Sequence, residues 1–243
     1  MQNLDCKPAP MNLYSTITQD LIGASKAFVS ITGGGGKTTT MIGLAKYLKS
    51  CGKRVLITTT TKVASPYVLH YGQDLIFNKE DVLEYQPKHA EVVFYAQLSE
   101  IENKWRSPSF ENLTQLYDRY DVILSEADGS RGLPIKIHTA KDPQIHPLTT
   151  ATISLMGVWA IGSTTTEMAF GETSKKTVNE EFVNWYISYS EGLLKGSIQN
   201  NRAILFNGCD KGYDSKLLRT LEVPKDVKCY AASANKGVLY EAF

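Results

Sequence analysis

The sequence predicts a doubly wound α/β domain built on a mainly parallel sheet, because short apolar runs alternate with helix-patterned segments along the chain. The clearest unit combines an apolar strand at 27–31, a glycine-rich turn, a helix at 38–50 and a second strand at 54–57. In that helix Met41, Leu44 and Leu48 recur at the spacing of one helical face. Strand, helix and strand at this spacing form a parallel βαβ unit with a right-handed crossover.

The remaining elements follow in chain order. Gly52 follows the first helix and is suited to its left-handed cap. Further strands are predicted at 92–95, 121–126, 151–161, 203–206 and 228–231, and helices at 110–120, 180–194, around 217–221 and at 237–243. Residues 132–149 contain three prolines and are predicted to form an ordered loop. Residues 1–15 are expected to form a flexible arm, and residues 16–243 a single domain.

The composition of the chain limits which kinds of partner the protein can be expected to bind. The chain has 243 residues, of which 42% are hydrophobic and 21% charged, and its formal net charge is +1. A near-neutral chain has no global basic field for nucleic acid, and no run of about twenty apolar residues is available to cross a membrane. Its four cysteines and four histidines are scattered without metal-ligand spacing, so we expect most of the thiols to be buried, a solvated or structural role for His138 and His146, and a cytoplasmic location.

A glycine-rich segment directly after the first strand is typical of a phosphate-binding loop. It reads Gly33-Gly34-Gly35-Gly36-Lys37-Thr38-Thr39. Glycines allow backbone N–H groups to close around phosphate oxygens, Lys37 is expected to reach the β- and γ-phosphates, and Thr38 to hold Mg²⁺. Ile31 stands where the usual pattern has its first glycine. This loop predicts a sheet of the P-loop NTPase type, with Mg²⁺ and either ATP or GTP as cofactors.

Two carboxylates follow a later strand. Asp128 is expected to hold Mg²⁺ directly or through water, and Glu126 to share the metal or to orient an attacking water or hydroxyl. A solvated acidic turn is the alternative. Four threonines at 58–61 end the strand after the loop helix, and Thr59 is a further candidate metal ligand, although threonine is also simply a good strand residue. Lys37, Glu126 and Asp128 are thus the candidate catalytic residues.

The segment after the strand at 203–206 resembles a base-reading motif. Asn207 and Asp210 have the Asn-x-x-Asp spacing with which GTPases recognise guanine, but Gly208 replaces the lysine that stacks on the base. A Ser-Ala-Asn-Lys run at 233–236 is similar to the supporting Ser-Ala-Lys loop. Asn and Asp are also common turn residues, and the choice between ATP and GTP stays open.

Two cations follow the acidic segment. Arg131 and Lys136 could neutralise charge on phosphate or bind an anionic substrate, and they could equally be solvated loop charges.

Together these motifs resemble those of the YqeC family. The stretches concerned are Gly-Gly-Gly-Gly-Lys-Thr-Thr, Thr-Thr-Thr-Thr-Lys, Ser-Glu-Ala-Asp-Gly-Ser-Arg-Gly-Leu-Pro-Ile-Lys and Asp-Pro-Gln-Ile-His-Pro. The resemblance implies a P-loop NTPase that assists maturation of selenium-dependent molybdenum hydroxylases, with such an enzyme or its cofactor-synthesis proteins as partners. It also implies that Lys37 and Thr38 bind nucleotide and that Glu126, Asp128 and Lys136 are signature residues. The chain departs from the family pattern in segment 162–177, which lacks a His-Arg-Pro triplet, and in the less acidic loop that precedes Pro143.

Three functions are compatible with these motifs. The first is a Mg²⁺-dependent nucleotide hydrolase that drives enzyme maturation. The second is a small-molecule kinase whose acceptor is bound by Arg131, Lys136 and His138. The third is a non-catalytic protein that binds a phosphorylated cofactor such as a molybdopterin nucleotide.

Overall fold

A computed structural model describes residues 11–172 and 174–243 of the chain. Its strands are β1 Met11–Asn12, β2 Ala27–Gly33, β3 Val55–Thr59, β4 Lys62–Ala64, β5 Leu75–Phe77, β6 Val92–Tyr95, β7 Gln97–Leu98, β8 Lys104–Arg106, β9 Val122–Glu126, β10 Ile135–Lys136, β11 Ala151–Gly157, β12 Ala169–Phe170, β13 Arg202–Asn207, β14 Val227–Ser233 and β15 Val238–Ala242. Its α-helices are α1 Leu13–Ile17, α2 Lys37–Ser50, α3 Phe110–Leu116, α4 Thr165–Met168, α5 Glu180–Ser188 and α6 Ser215–Thr220. A π-helical turn at Thr18–Ile22 and 3₁₀ turns at Glu80–Leu83, Val158–Ala160 and Cys209–Lys211 complete the elements.

A large, mostly parallel sheet forms the centre of the domain. Its strand order is β1-β15-β14-β13-β11-β2-β9-β3-β6-β5. All pairs from β14 to β5 are parallel, whereas β15 pairs antiparallel with both β14 and β1. The predicted mainly parallel α/β architecture is therefore confirmed. β2 lies between β9 and β11, so the loops that follow these three strands meet at one edge of the sheet.

The strands are apolar on both faces because both faces are covered. In β2, Val29 and Ile31 pack into the core on the side of α1 and α2, and Phe28 points into the core on the opposite side, against α3. Every residue of β2, β3, β9 and β11 is buried. Continuous apolar runs of this kind are what a parallel sheet needs when it is covered on both faces.

The C-terminal prediction of a helix at 237–243 is wrong. Those residues form β15, an antiparallel strand in which buried Leu239 stands between the partly buried Val238 and the exposed Tyr240. This alternation has the period of a strand, and hydrogen bonds to β14 satisfy its backbone.

Other element boundaries also differ from the predictions. The strand predicted at 151–161 ends at Gly157 and continues as a 3₁₀ turn, and the helix predicted at 180–194 ends at Ser188. The loop 132–149 contains the short strand β10, which pairs with β12. A separate small sheet, which was not predicted, consists of β4, β8 and β7. Cys209 and Cys229 are buried as expected, but Cys51 is exposed, and Cys6 lies outside the described residues.

The N-terminal segment is paired with the sheet from its first described residue. Met11 and Asn12 pair with β15, and Leu13 is fully buried, so residues 11–15 do not belong to the predicted arm 1–15. The first ten residues of that arm lie outside the described residues. Within the described part of the chain, the structure contains no helix with the length and apolarity required to cross a membrane.

Candidate functional site

The glycine segment forms a tight loop between the carboxyl end of β2 and the first turn of α2. Gly36 caps α2 with a φ of 124°, and a Cβ atom there would lie 2.3 Å from Nδ2 of Asn207. Gly34 donates its N–H to Leu155 and Gly35 donates its N–H to Leu133, so neighbouring segments hold the loop on both sides. Glycine is required here because the backbone passes too close to its neighbours for a side chain.

Lys37 is the first residue of α2, and its ammonium group is surrounded by oxygen atoms. Nζ donates to the carbonyl of Gly33 at 2.6 Å and to Oγ of Ser130 at 3.1 Å. It also forms ion pairs with Asp128 at 3.0 Å and with Glu126 at 3.7 Å. The structure thus brings the predicted loop lysine and both predicted carboxylates into one cluster, which is almost entirely buried.

The two carboxylates have different surroundings. Glu126 ends β9 and accepts a hydrogen bond from the Thr38 hydroxyl at 3.1 Å, and burial raises its pKa although Lys37 opposes that shift. Asp128 has no exposed surface. Burial also acts to raise the pKa of Asp128, but Lys37, His138 and the Gly33 N–H outweigh it and hold that pKa below its ordinary value. The two carboxylates therefore differ in what controls their pKa: burial dominates at Glu126, whereas the positive and N–H partners dominate at Asp128.

Asp128 contacts His138, a residue expected from the sequence only as a structural histidine or as part of an acceptor site. The Nε2 atom of His138 lies 2.7 Å from Oδ2 of Asp128, and Nδ1 lies 2.8 Å from the carbonyl oxygen of Gly192. The same Asp128 oxygen accepts the N–H of Gly33 at 2.7 Å. A histidine ten positions after the aspartate carries no motif, so only its position in the folded chain reveals this contact.

The threonines at the end of β3 form structural hydrogen bonds. Thr59 donates to the carbonyl of Glu126 at 2.9 Å and accepts the N–H of Thr61 at 3.0 Å, so its hydroxyl is engaged in both directions. Thr58 and Thr60 donate to the carbonyls of Tyr95 and Gln144. These hydroxyls tie β3 to its neighbours, and Thr38 is the threonine whose hydroxyl reaches a carboxylate of the cluster.

Asn207 joins two loops at the site. Its amide nitrogen donates to the Gly35 carbonyl at 2.7 Å, and its amide oxygen accepts the N–H of Ala234 at 2.8 Å. Asp210 lies 3.4 Å from the ammonium group of Lys236. Burial tends to raise the pKa of Asp210, but Ser233 and Lys236 lower it overall. The two segments that resemble base-reading loops are therefore neighbours beside the glycine loop.

The two predicted anion-binding cations occupy different environments. Arg131 has a φ of 52° and lies over the Phe170 ring at 4.7 Å, and it borders the cavity described below. Lys136 is buried and forms an ion pair with Asp142 at 2.6 Å. Arg131 is thus the cation of the two that can meet a ligand there.

A cavity of about 550 Å³ opens over the glycine loop. Its charged lining consists of four cations and one acid, namely Lys37, Lys62, Lys104, Arg131 and Glu126. The remaining lining comes from the loop, from β4 and the segment after it, from residues 129–132 and from Trp159. A cavity with this excess of positive charge is suited to an anionic ligand.

Comparisons with known proteins agree on one relationship. The profile of a family described as YqeC protein matches residues 29–183, which include the glycine loop, Glu126, Asp128 and Arg131 and exclude Asn207 and Asp210. The chain is also 33% identical over 148 residues to the "Uncharacterized protein YqeC" of Escherichia coli (strain K12). That alignment covers 58% of this chain and 57% of its relative, so the chain spans somewhat more than half of that protein's length.

Proposed function

The chain belongs to the YqeC family, and from that premise we propose that it is a Mg²⁺-dependent nucleoside triphosphatase of the P-loop type. We further propose that it acts as an accessory factor in maturation of a selenium-dependent molybdenum hydroxylase. The observation that carries the first proposal is the position of the Lys37 ammonium group, at the base of a glycine loop and 3.0 Å from Asp128.

The loop and its helix provide a site for phosphate. Lys37 opens α2, a helix of 14 residues, so the positive end of the helix and its free N–H groups face the cavity. Lys62, Lys104 and Arg131 contribute further positive charge along the same cavity. Phosphate is the anion that such a combination of backbone N–H groups and a buried lysine binds best.

The residues beside the loop fit a magnesium ion. Thr38 and Glu126 place a hydroxyl and a carboxylate 3.1 Å apart at the loop, and Mg²⁺ prefers oxygen ligands of these kinds. In the described part of the chain, no group of three or more His, Cys, Asp or Glu residues could hold a metal. Two protein oxygens are sufficient for Mg²⁺, because it commonly keeps waters and binds substrate phosphates. When bound, the ion would neutralise phosphate charge.

The residues of the chain would then have distinct roles at the site. Lys37 neutralises phosphate oxygens, and Asp128 holds Lys37 and the Gly33 N–H in position from below. Glu126 and Thr38 would hold the Mg²⁺ ion, whereas buried Asp128 and Thr59, whose hydroxyl both donates and accepts a hydrogen bond, shape the site. Arg131 borders the same cavity and can stabilise charge that develops on the transferred phosphoryl group.

Calorimetric titration with ATP and GTP, with and without Mg²⁺, tests the binding site. We expect the wild type to bind a nucleotide and Lys37→Ala to lose about 100-fold or more in affinity, because a charged phosphate partner is removed. Lys46→Ala is the matched control, because Lys46 is an exposed lysine of the same helix. The proposal is rejected if the wild type binds no nucleotide or if Lys37→Ala binds as well as the wild type.

Turnover and the cellular role need separate measurements. Phosphate release from ATP or GTP without any added acceptor supports a hydrolase, and release only with an acceptor would indicate a kinase.

In cells that lack this protein, we expect selenium-dependent molybdenum hydroxylase activity to fall. The wild type should restore that activity and Lys37→Ala should not. Normal activity in the deletion strain would exclude the maturation role while leaving nucleotide binding intact.

A further inference from the structure

The indole ring of Trp159 lies against three backbone segments that have no side chain to separate them from it. A Cβ atom at Gly157 would lie 2.6 Å from the ring, one at Gly208 also 2.6 Å, and one at Gly35 3.2 Å. These glycines come from the end of β11, the segment after β13 and the phosphate loop. The Trp159 ring therefore fits into a niche beside the glycine loop, and this niche exists because these three residues are glycines without a Cβ atom.

Trp159 also borders the cavity. Trp159 is 42% exposed and belongs to the cavity lining. The chain's other two tryptophans are engaged elsewhere, since Trp105 contacts Tyr67 and Phe94, and Trp185 contacts Phe182 and Tyr189. Across residues 11–172 and 174–243, no aromatic ring packs against Trp159. A large aromatic surface thus remains available at the rim of an anion-binding cavity.

The niche at Gly208 links this ring to base recognition. Gly208 follows Asn207, in the segment whose spacing resembles a base-reading motif, at the position where that motif has a lysine over the base. In this chain a side chain at 208 would collide with the Trp159 ring. The indole therefore occupies the space that the lysine would need, and it offers a flat π surface in its place.

We propose that Trp159 is the stacking platform for the purine base of the nucleotide, an inference that rests on the proposed function. A nucleotide whose phosphates lie on the glycine loop would bring its base toward the Gly208 side of the cavity. Stacking on a π face accepts adenine and guanine alike, because it uses no hydrogen-bond pattern. Trp159 accordingly contributes affinity for the base and leaves the choice between ATP and GTP to other residues.

The test compares nucleotides with inorganic tripolyphosphate, a probe that has the phosphates and lacks the base. We expect Trp159→Ala to bind ATP or GTP roughly 5- to 150-fold more weakly than the wild type, the range for one base stacked on an aromatic side chain. Its affinity for tripolyphosphate should stay unchanged. Trp159→Phe should recover most of the nucleotide affinity, and Trp185→Phe, which changes a tryptophan outside the cavity, should match the wild type.

Fluorescence supplies a second readout. Stacking should quench wild-type tryptophan emission when ATP or GTP is added, and Trp159→Phe should abolish that change. The inference is overturned if Trp159→Ala binds nucleotide as tightly as the wild type, or if its affinity for tripolyphosphate falls equally, since the ring would then only support the loop. Failure of the wild type to bind either probe would instead overturn the proposed function itself.

Discussion

His138 and Asp128 are joined by a buried contact of 2.7 Å between Nε2 and Oδ2, and neither side chain has exposed surface. The Nδ1 atom of His138 lies 2.8 Å from the Gly192 carbonyl oxygen, so both ring nitrogens have a polar partner. Lys37, His138 and the Gly33 N–H together hold the pKa of Asp128 below its ordinary value, although burial acts to raise it. The carboxylate beneath the glycine loop is thus contacted by Lys37 at 3.0 Å and by His138 at 2.7 Å.

Replacement of His138 should destabilise the protein more than replacement of another buried histidine. His138→Phe leaves the buried Asp128 carboxylate without one of its hydrogen-bond partners and leaves the Gly192 carbonyl unpaired, at an expected cost of about 3–5 kcal/mol in unfolding free energy. Urea denaturation followed by circular dichroism measures this cost.

His146→Phe is the matched control for that variant. His146 is equally buried, stacks on Phe28 and contacts the Phe110 carbonyl and the Leu148 N–H, all of them uncharged partners. Its replacement should cost about 1–2 kcal/mol. Equal losses in the two variants would show that the charged contact with Asp128 has no special weight.

Glu126 and Asp128 should respond differently to amide replacement. Glu126→Gln should reduce the gain in ATP affinity that Mg²⁺ provides by about tenfold or more, because a metal-facing carboxylate is lost. Its unfolding free energy should change little, because burial already disfavours the charged form of Glu126. Asp128→Asn should instead lower stability and weaken nucleotide binding to the same extent with and without Mg²⁺. Titration at several Mg²⁺ concentrations separates the two outcomes, and loss of Mg²⁺ dependence in Asp128→Asn alone would assign the metal to Asp128.

Gly34 and Gly129 form a matched pair for testing how closely the loop is packed. A Cβ atom at Gly34 would lie 2.5 Å from the Leu133 carbonyl, whereas one at Gly129 would meet nothing within 4 Å. Neither residue has a positive φ, so only the available space differs. We expect Gly34→Ala to lower the unfolding free energy by about 1–3 kcal/mol and Gly129→Ala to change it by less than about 0.5 kcal/mol. Equal stabilities in chemical denaturation would contradict this packing.

Local patterns predicted those parts of the site that depend on neighbours in sequence. The glycine loop, Lys37 and the strand that carries Glu126 follow from apolar periodicity and from one motif. The contacts of His138 and the niche of Trp159 depend on segments far apart in the chain, and no local pattern encodes them. The terminal strand β15 is likewise defined by its pairing with β14, and the short apolar pattern at 237–243 does not reveal that partner.

Asp121 provides a test of stability against pH away from the site. Its carboxylate accepts hydrogen bonds from both the backbone and the guanidinium of Arg54, and this pairing lowers its pKa from 3.8 to about 2. A carboxylate with a lowered folded-state pKa stabilises the protein fully above its unfolded value of 3.8, and the effect is lost as pH falls toward 2. Because Arg54 is about one third exposed, solvent reduces the contribution, and we expect about 1–2 kcal/mol at neutral pH.

Denaturation of the wild type and Asp121→Asn at pH 7 and near pH 2 checks this expectation. The difference in unfolding free energy should be about 1–2 kcal/mol at pH 7 and should shrink to a small fraction of that near pH 2, because about half of the folded-state carboxylates and nearly all of the unfolded-state ones are then protonated. Asp118→Asn is the control, since Asp118 is highly exposed and pairs with Lys26 on the surface. That variant should differ from the wild type by less than about 0.5 kcal/mol at both pH values. A difference for Asp121→Asn that is the same at both pH values would mean that the carboxylate charge does not stabilise the start of β9.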